Sequence, residues 1–201
     1  MTTRILIYGD SNTWGSDGTG VRYETSLQWP QILKSKLGSG YEVVQEGLQG
    51  RIAGDHDKFE VFRNGKAGYE IAMRSASPFD YLVVALGTND SKKKYSLKPD
   101  TIVDDLLWYK DHTIEYGQTD SEMGNRFKKI FYVGIANFRP NPAFNAQTTA
   151  DVREMMNHES EIIINTTDLE HPVDGLHYSQ HDHYKVAERV LTAIKEFEDE
   201  V

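Results

Sequence analysis

The run Tyr81-Leu82-Val83-Val84-Ala85-Leu86 constrains the fold of this chain more than any other segment. Successive side chains of a strand point to opposite faces, and here both faces are apolar. A strand of that kind needs cover on both sides, as in a parallel sheet with helices on each face. Four further runs fit the scheme: residues 4–9 (RILIYG), 41–45 (YEVVQ), 129–135 (KIFYVGI) and, more weakly, 161–165 (EIIIN). Segments of helical period lie between them. One runs over about residues 27–37, with Pro30 tolerated in its first turn and Gly38 as its stop. Residues 101–116 read as a second helix. Residues 179–197 close the chain, with Tyr184, Ala187, Val190, Leu191 and Ile194 on one apolar face. Strands alternating with helices specify an α/β architecture.

The 201 residues suit one domain over 1–201, and no repeat, linker or low-complexity tract divides them. Residues 50–69 and 136–148 are left as long loops, which in compact domains are more often functional than not. Lys and Arg number 22 against 31 Asp and Glu, a formal net charge of −9 that argues against nucleic acid or an anionic membrane surface as partner. Part of that charge is the solvated end Glu196, Glu198, Asp199 and Glu200. The absence of cysteine removes disulfides, thiolate metal sites and a thiol nucleophile together. Residues 1–7 lack the apolar stretch and cleavage site of a signal peptide, and Ile5-Leu6-Ile7 is too short to span a bilayer. The expected location is cytoplasmic, with no membrane association.

In an open α/β sheet, ligands bind beyond the carboxyl ends of the strands. The segments expected there are Gly9-Asp10-Ser11-Asn12-Thr13-Trp14-Gly15, Glu46-Gly47-Leu48-Gln49-Gly50-Arg51 and Gly87-Thr88-Asn89-Asp90. Asp174-Gly175-Leu176-His177 precedes the last helix. Singly, each reads as an ordinary turn or helix cap. Together they contain each part that acyl transfer requires. A serine hydroxyl needs a base within hydrogen-bond reach, and histidine is the side chain whose charge changes near neutral pH. Its imidazole needs an acceptor to fix the tautomer, and Asp174, three residues before His177, can touch it within one loop. Candidate donors to a tetrahedral oxyanion are the N–H groups of Ser11 and Gly47 and the side-chain amide of Asn89. Glycine at 47 lets the backbone approach substrate closely.

These four blocks resemble the SGNH (GDSL-type) hydrolase superfamily, named for a Ser, a Gly, an Asn and a His in separated segments. The matching positions are Ser11, Gly47, Asn89 and His177, in an order that covers essentially the whole chain. The resemblance implies a three-layer α/β/α sandwich around a flavodoxin-like five-stranded parallel sheet. It also implies Ser11 as nucleophile, His177 as base, Asp174 as its partner, and Ser11, Gly47 and Asn89 as oxyanion hole. RILIYGDSNTWG, EGLQGR and LGTND look like the small bacterial arylesterase and acyltransferase branch. Asn12 departs from the usual Leu after the serine, read as a change of packing neighbour. The expected activity is hydrolysis of small carboxylic esters (acetyl, aryl or carbohydrate O-acyl) through an acyl-serine intermediate. No cofactor is implied, and relatives of that branch often self-associate, which leaves room for a homo-oligomer.

Asp10 and Trp14 flank Ser11, and Phe138 and Phe144 lie on the loop after the fourth strand; these four are candidate pocket residues. His177, His181, His183 and Asp182 invite a metal reading, but no HExxH motif is present and Asp174 already accounts for His177. His181 and His183 read as exposed first-turn residues, and Lys92-Lys93-Lys94 as a solvated turn. The alternatives are a lysophospholipase or thioesterase of the same mechanism, or a non-catalytic phosphate- or nucleotide-binding α/β module. The latter lacks both GxGxxG and GxxxxGK[ST] after the first strand and leaves Asn89, Asp174 and His177 without a role.

Overall fold

A computed structural model describes residues 2–159 and 161–200. Five strands form one sheet: β1 (Thr3–Gly9), β2 (Tyr41–Gly47), β3 (Tyr81–Ala85), β4 (Lys129–Val133) and β5 (Ile162–Ile164). Their spatial order is β2-β1-β3-β4-β5 and every pairing is parallel. This is the flavodoxin-like order.

The helices are α1 (Ser11–Trp14), α2 (Trp29–Leu37), α3 (Gly65–Ala76), α4 (Pro99–Thr119), α5 (Ser121–Arg126), α6 (Ala146–Asn157) and α7 (Gln180–Glu200). The two-residue period of the strands divides the core into two layers. Leu6, Tyr8, Leu82, Val84, Ile130 and Tyr132 face α3, α4 and α6 through Met73, Leu106 and Val152. Ile5, Ile7, Tyr81, Val83, Phe131 and Val133 face α2 and α7 through Trp29, Leu33, Val186 and Val190. Burying each such aliphatic side chain is worth about 1.5–3 kcal/mol, so both covers of the sheet are needed. The α/β/α sandwich follows from apolar residues on both faces of β1, at Ile5–Tyr8, and of β3.

Two of the expected loops contain helices. Residues 50–69 include the 3₁₀ turn Val61–Arg63 and the start of α3, and residues 136–148 end inside α6. The buried face of α3 is partly small (Ala72, Ala76) while Ile71 is 74% exposed, so its apolar period is blurred in sequence. α6 starts where Asn145 caps it, its side chain accepting from the N–H groups of Gln147 and Thr148. The short α5 has a cap of the same kind at Asp120 and was not visible as a separate helix.

The chain runs from β1 outward to β2, then returns to the other side of β1 with β3. The loops after β1 and β3 therefore part at their carboxyl ends, which opens a crevice there. No helix among the described residues is long and apolar enough to cross a membrane.

Candidate active site

The turn after β1 leaves no choice at its first position. A Cβ on Gly9 would lie 2.1 Å from Thr13 Oγ1 and 2.9 Å from the Ala85 carbonyl. Asp10 then caps α1, its Oδ1 accepting from Asn12 N–H at 2.9 Å. That cap places Ser11 at the first helical position, facing the crevice.

The loop before α7 meets it there. Asp174 Oδ1 accepts from the N–H groups of Leu176 and His177, both at 2.9 Å, an Asx-type turn that folds the loop back on itself. Asp174 Oδ2 lies 2.6 Å from His177 Nδ1, and His177 Nε2 lies 2.9 Å from Ser11 Oγ. Burial acts to raise the Asp174 pKa, but the His177 and Leu176 N–H groups and the His177 ring outweigh it and hold it below the ordinary carboxylate value. An ionised Asp174 favours the tautomer with hydrogen on Nδ1, which leaves Nε2 free to accept from the serine hydroxyl.

Two features hold the loop against the serine turn. Ser179 and Asp182 form a reciprocal cap at the start of α7: Ser179 Oγ accepts from Asp182 N–H, and Asp182 Oδ2 accepts from Ser179 N–H, both at 3.0 Å. Asn12 Oδ1 accepts from Tyr178 N–H at 2.9 Å. Asn12 is therefore more than the packing neighbour expected of it; it bonds the residue after His177 to the residue after Ser11.

Ser11, Asn89 and His177 line a cavity of about 300 Å³, together with Gln49, Gly50, Arg63, Lys92, Phe144 and Leu176. Gly47 does not line it. Gly47 ends β2 opposite Gly9, and a Cβ there would lie 2.2 Å from Trp14 N. It is glycine because α1 packs on it. Gly50, three residues on, lines the cavity instead. Its φ is +76° in a turn closed by Arg51 N–H to the Leu48 carbonyl at 3.2 Å, the conformation a type II turn asks of its third residue. Among the described residues, neither Ser11 N–H nor Gly50 N–H has a hydrogen-bond partner. The turn is tied down by Arg51, which donates to the Gly9 and Glu46 carbonyls at 3.0 and 2.6 Å. Asn89 Nδ2 donates to the Arg51 carbonyl at 3.1 Å and to Asp10 Oδ2 at 3.3 Å.

The remaining candidates divide. Phe144 lines the cavity, and Phe138 packs edge-on behind it with ring centres 5.4 Å apart. Asp10 is buried beneath Ser11 and is not a lining residue; burial, against the opposing Asn12 N–H, pushes its pKa up to about 6. Trp14 is turned away, with the Arg22 guanidinium 5.0 Å from its ring centre. His181 is exposed, but His183 is fully buried, contrary to expectation: it sits between Tyr23 and Tyr178 and its Nδ1 accepts from Trp29 N–H at 3.2 Å. The His177 and His183 rings thus face different partners, and no group of three His, Asp or Glu side chains converges among the described residues. Lys92 lines the cavity, so the lysine triplet is not uniformly solvated. The free N–H of Gly50 was legible in principle, as the glycine of Leu48-Gln49-Gly50-Arg51; the positions of Arg63 and Lys92 had no sequence signal.

No protein-family model and no curated protein matches the chain. Solved structures do. A carbohydrate acetylesterase from Sinorhizobium meliloti superposes with a TM-score of 0.83 at 20% identity, over 98% of this chain and 100% of that one. The native M. smegmatis aryl esterase gives 0.81 at 21%, over 97% and 99%. A lipolytic G-D-S-L family protein from Veillonella parvula gives 0.68 at 14%, over 96% and 99%. The chain shares the fold of these proteins over almost its full length.

Proposed function

We propose that this protein hydrolyses small carboxylic esters through an acyl intermediate on Ser11. The hydrogen-bonded series Ser11 Oγ, His177 and Asp174, with links of 2.9 and 2.6 Å at the edge of a cavity, carries the reading. Solved structures of the same fold that are named acetylesterase and aryl esterase support it.

Ser11 Oγ attacks the ester carbonyl as its proton passes to His177 Nε2, and Asp174 balances the imidazolium that results. The carbonyl oxygen becomes an oxyanion, which Ser11 N–H and Gly50 N–H are free to receive. Asn89 supplies a third donor by giving up its bond to Asp10, the longer of its two at 3.3 Å. His177 then protonates the departing alcohol. In the second half it takes a proton from water, whose oxygen attacks the acyl carbon, and the carboxylic acid leaves as Ser11 regains its hydrogen. The volume of about 300 Å³ lies at the lower end for small-molecule sites, which favours short acyl groups such as acetyl.

The test is the intact mass after exposure to a fluorophosphonate, for wild type, Ser11→Ala and His177→Ala. One adduct on wild type, none on Ser11→Ala and slow labelling of His177→Ala are expected. A wild type that stays unlabelled would overturn the proposal.

A further inference from the structure

The cavity that Ser11 and His177 line also receives two cations, in a chain whose net charge is −9. Lys92 follows the 3₁₀ turn Asn89–Ser91 and lines the cavity together with Asn89. Arg63 ends the turn Val61–Arg63, and its guanidinium covers Gly50, with Nε 2.8 Å from where a Cβ on that glycine would lie.

The two differ in how they are neutralised. Lys94, two residues on, pairs with Asp57 at 3.0 Å, and Lys93 is exposed. Lys92 Nζ has no ion pair and no hydrogen bond among the described residues; it stands over the Phe144 ring, 5.6 Å from its centre. Burial, then Arg63 and Lys94, lower its pKa. Asp10 and Asp90 act on it in the opposite sense, though neither pairs with it. Arg63 pairs through Nη1 with Glu60, while its Nε is buried without a hydrogen-bond partner among the described residues. A half-buried ammonium without a counter-ion, next to a guanidinium, is unfavourable in the empty cavity. A bound anion would relieve that cost.

We propose that the cavity selects esters carrying a carboxylate, which Lys92 and Arg63 hold while the ester carbonyl lies at Ser11. The placement of the carbonyl rests on the ester-hydrolase reading. A carboxylate can come from the acyl side, as in the half-ester of a short dicarboxylic acid, or from the alcohol side, as in an acylated hydroxy acid. Asn89 and Lys92 are three residues apart on one turn, so the two groups of such an ester are separated by only a few bonds. The small volume of the cavity agrees with this.

The experiment compares kcat/KM for charged and neutral partners in two arms. Monophenyl glutarate against phenyl pentanoate places the charge on the acyl side; 4-acetoxybenzoate against its methyl ester places it on the alcohol side. In one arm the anion is expected to be preferred at least tenfold, mainly through KM, and the arm identifies the side. In Lys92→Met the ratio falls towards one, and in Lys92→Arg it is largely retained. Turnover dependent on Ser11 without a charge preference, or a preference that survives Lys92→Met, overturns the anion site and leaves ester hydrolysis standing. Calorimetry with glutarate decides the site without turnover. Binding weakened at least tenfold by Lys92→Met supports it even if the ester reading fails, and binding indifferent to Lys92 overturns it.

Discussion

Two histidine clusters flank the start of α7, and they differ in almost every respect that chemistry requires. His177 borders a cavity, with one ring nitrogen on Asp174 and the other on Ser11. His183, six residues on, is sealed between Tyr23 and Tyr178, and its Nε2 has no partner among the described residues. His171 joins the sealed cluster, 1% exposed and stacked on Tyr178 with ring centres 5.5 Å apart. Burial lowers the pKa of His171, and it drives that of His183 down to about 4 against the pull of Asp182. A ring that can neither reach solvent nor hold a proton at neutral pH serves packing. Access and a partnered pair of nitrogens set the chemical histidine apart; closeness in sequence does not.

Exchanging the carboxylates gives the largest expected contrast. Asp174→Asn keeps the size of the side chain but favours the wrong His177 tautomer, and kcat should fall by about 10²–10⁴. Asp182→Asn weakens the cap of α7 and should instead cost about 1–3 kcal/mol of stability with turnover per folded molecule largely kept. Denaturant unfolding and ester kinetics on both variants separate the roles; a large rate loss in Asp182→Asn alone would abolish the distinction.

The sealed cluster should next reveal itself through pH. The unfolded His183 binds its proton near pH 6.5 and the folded one only near 4, so the unfolded state holds more protons in between. Its contribution is complete above pH 6.5 and is lost as pH falls towards 4, by up to about 3 kcal/mol. Asp10 and Asp90, with raised pKa values, act with the opposite sign, so the comparison needs a variant. In His183→Asn, whose amide oxygen can replace Nδ1 as acceptor for Trp29, the deficit against wild type should shrink as pH drops. A deficit constant from pH 7 to 4.5, read from urea midpoints, would contradict this.

Asn12 joins the clusters, because its acceptor is the N–H of Tyr178, between His177 and His183. Asn12→Leu leaves that buried N–H unpaired at a cost of about 1–3 kcal/mol. We expect a lower Tm and a rate loss below tenfold. An unchanged Tm would mean that the loop before α7 is held by its own turn alone.

Much of this was legible in the chain. Apolar positions on both faces of residues 81–86 specified a covered parallel sheet, because strand alternation is a local property. Ser11, Asp174 and His177 could be picked out by chemistry, and Asp174 and His177 touch within a single turn. α3 was hidden, since its buried alanines weaken the period that marks a helix.

The choice between Gly47 and Gly50 lay outside local reading. Both stand in one short segment, and α1 packing on the first while the second turns into the cavity depends on residues some 35 positions away. The same holds for Lys92 among three lysines and for His183 among three histidines. The sequence by itself determined the layered fold and the kinds of group available for acyl transfer, because period and side-chain chemistry are carried by each segment alone. Only the tertiary structure decided which glycine and which lysine face the cavity and which histidine is sealed in the core, because burial and partnership are set by segments distant in the chain.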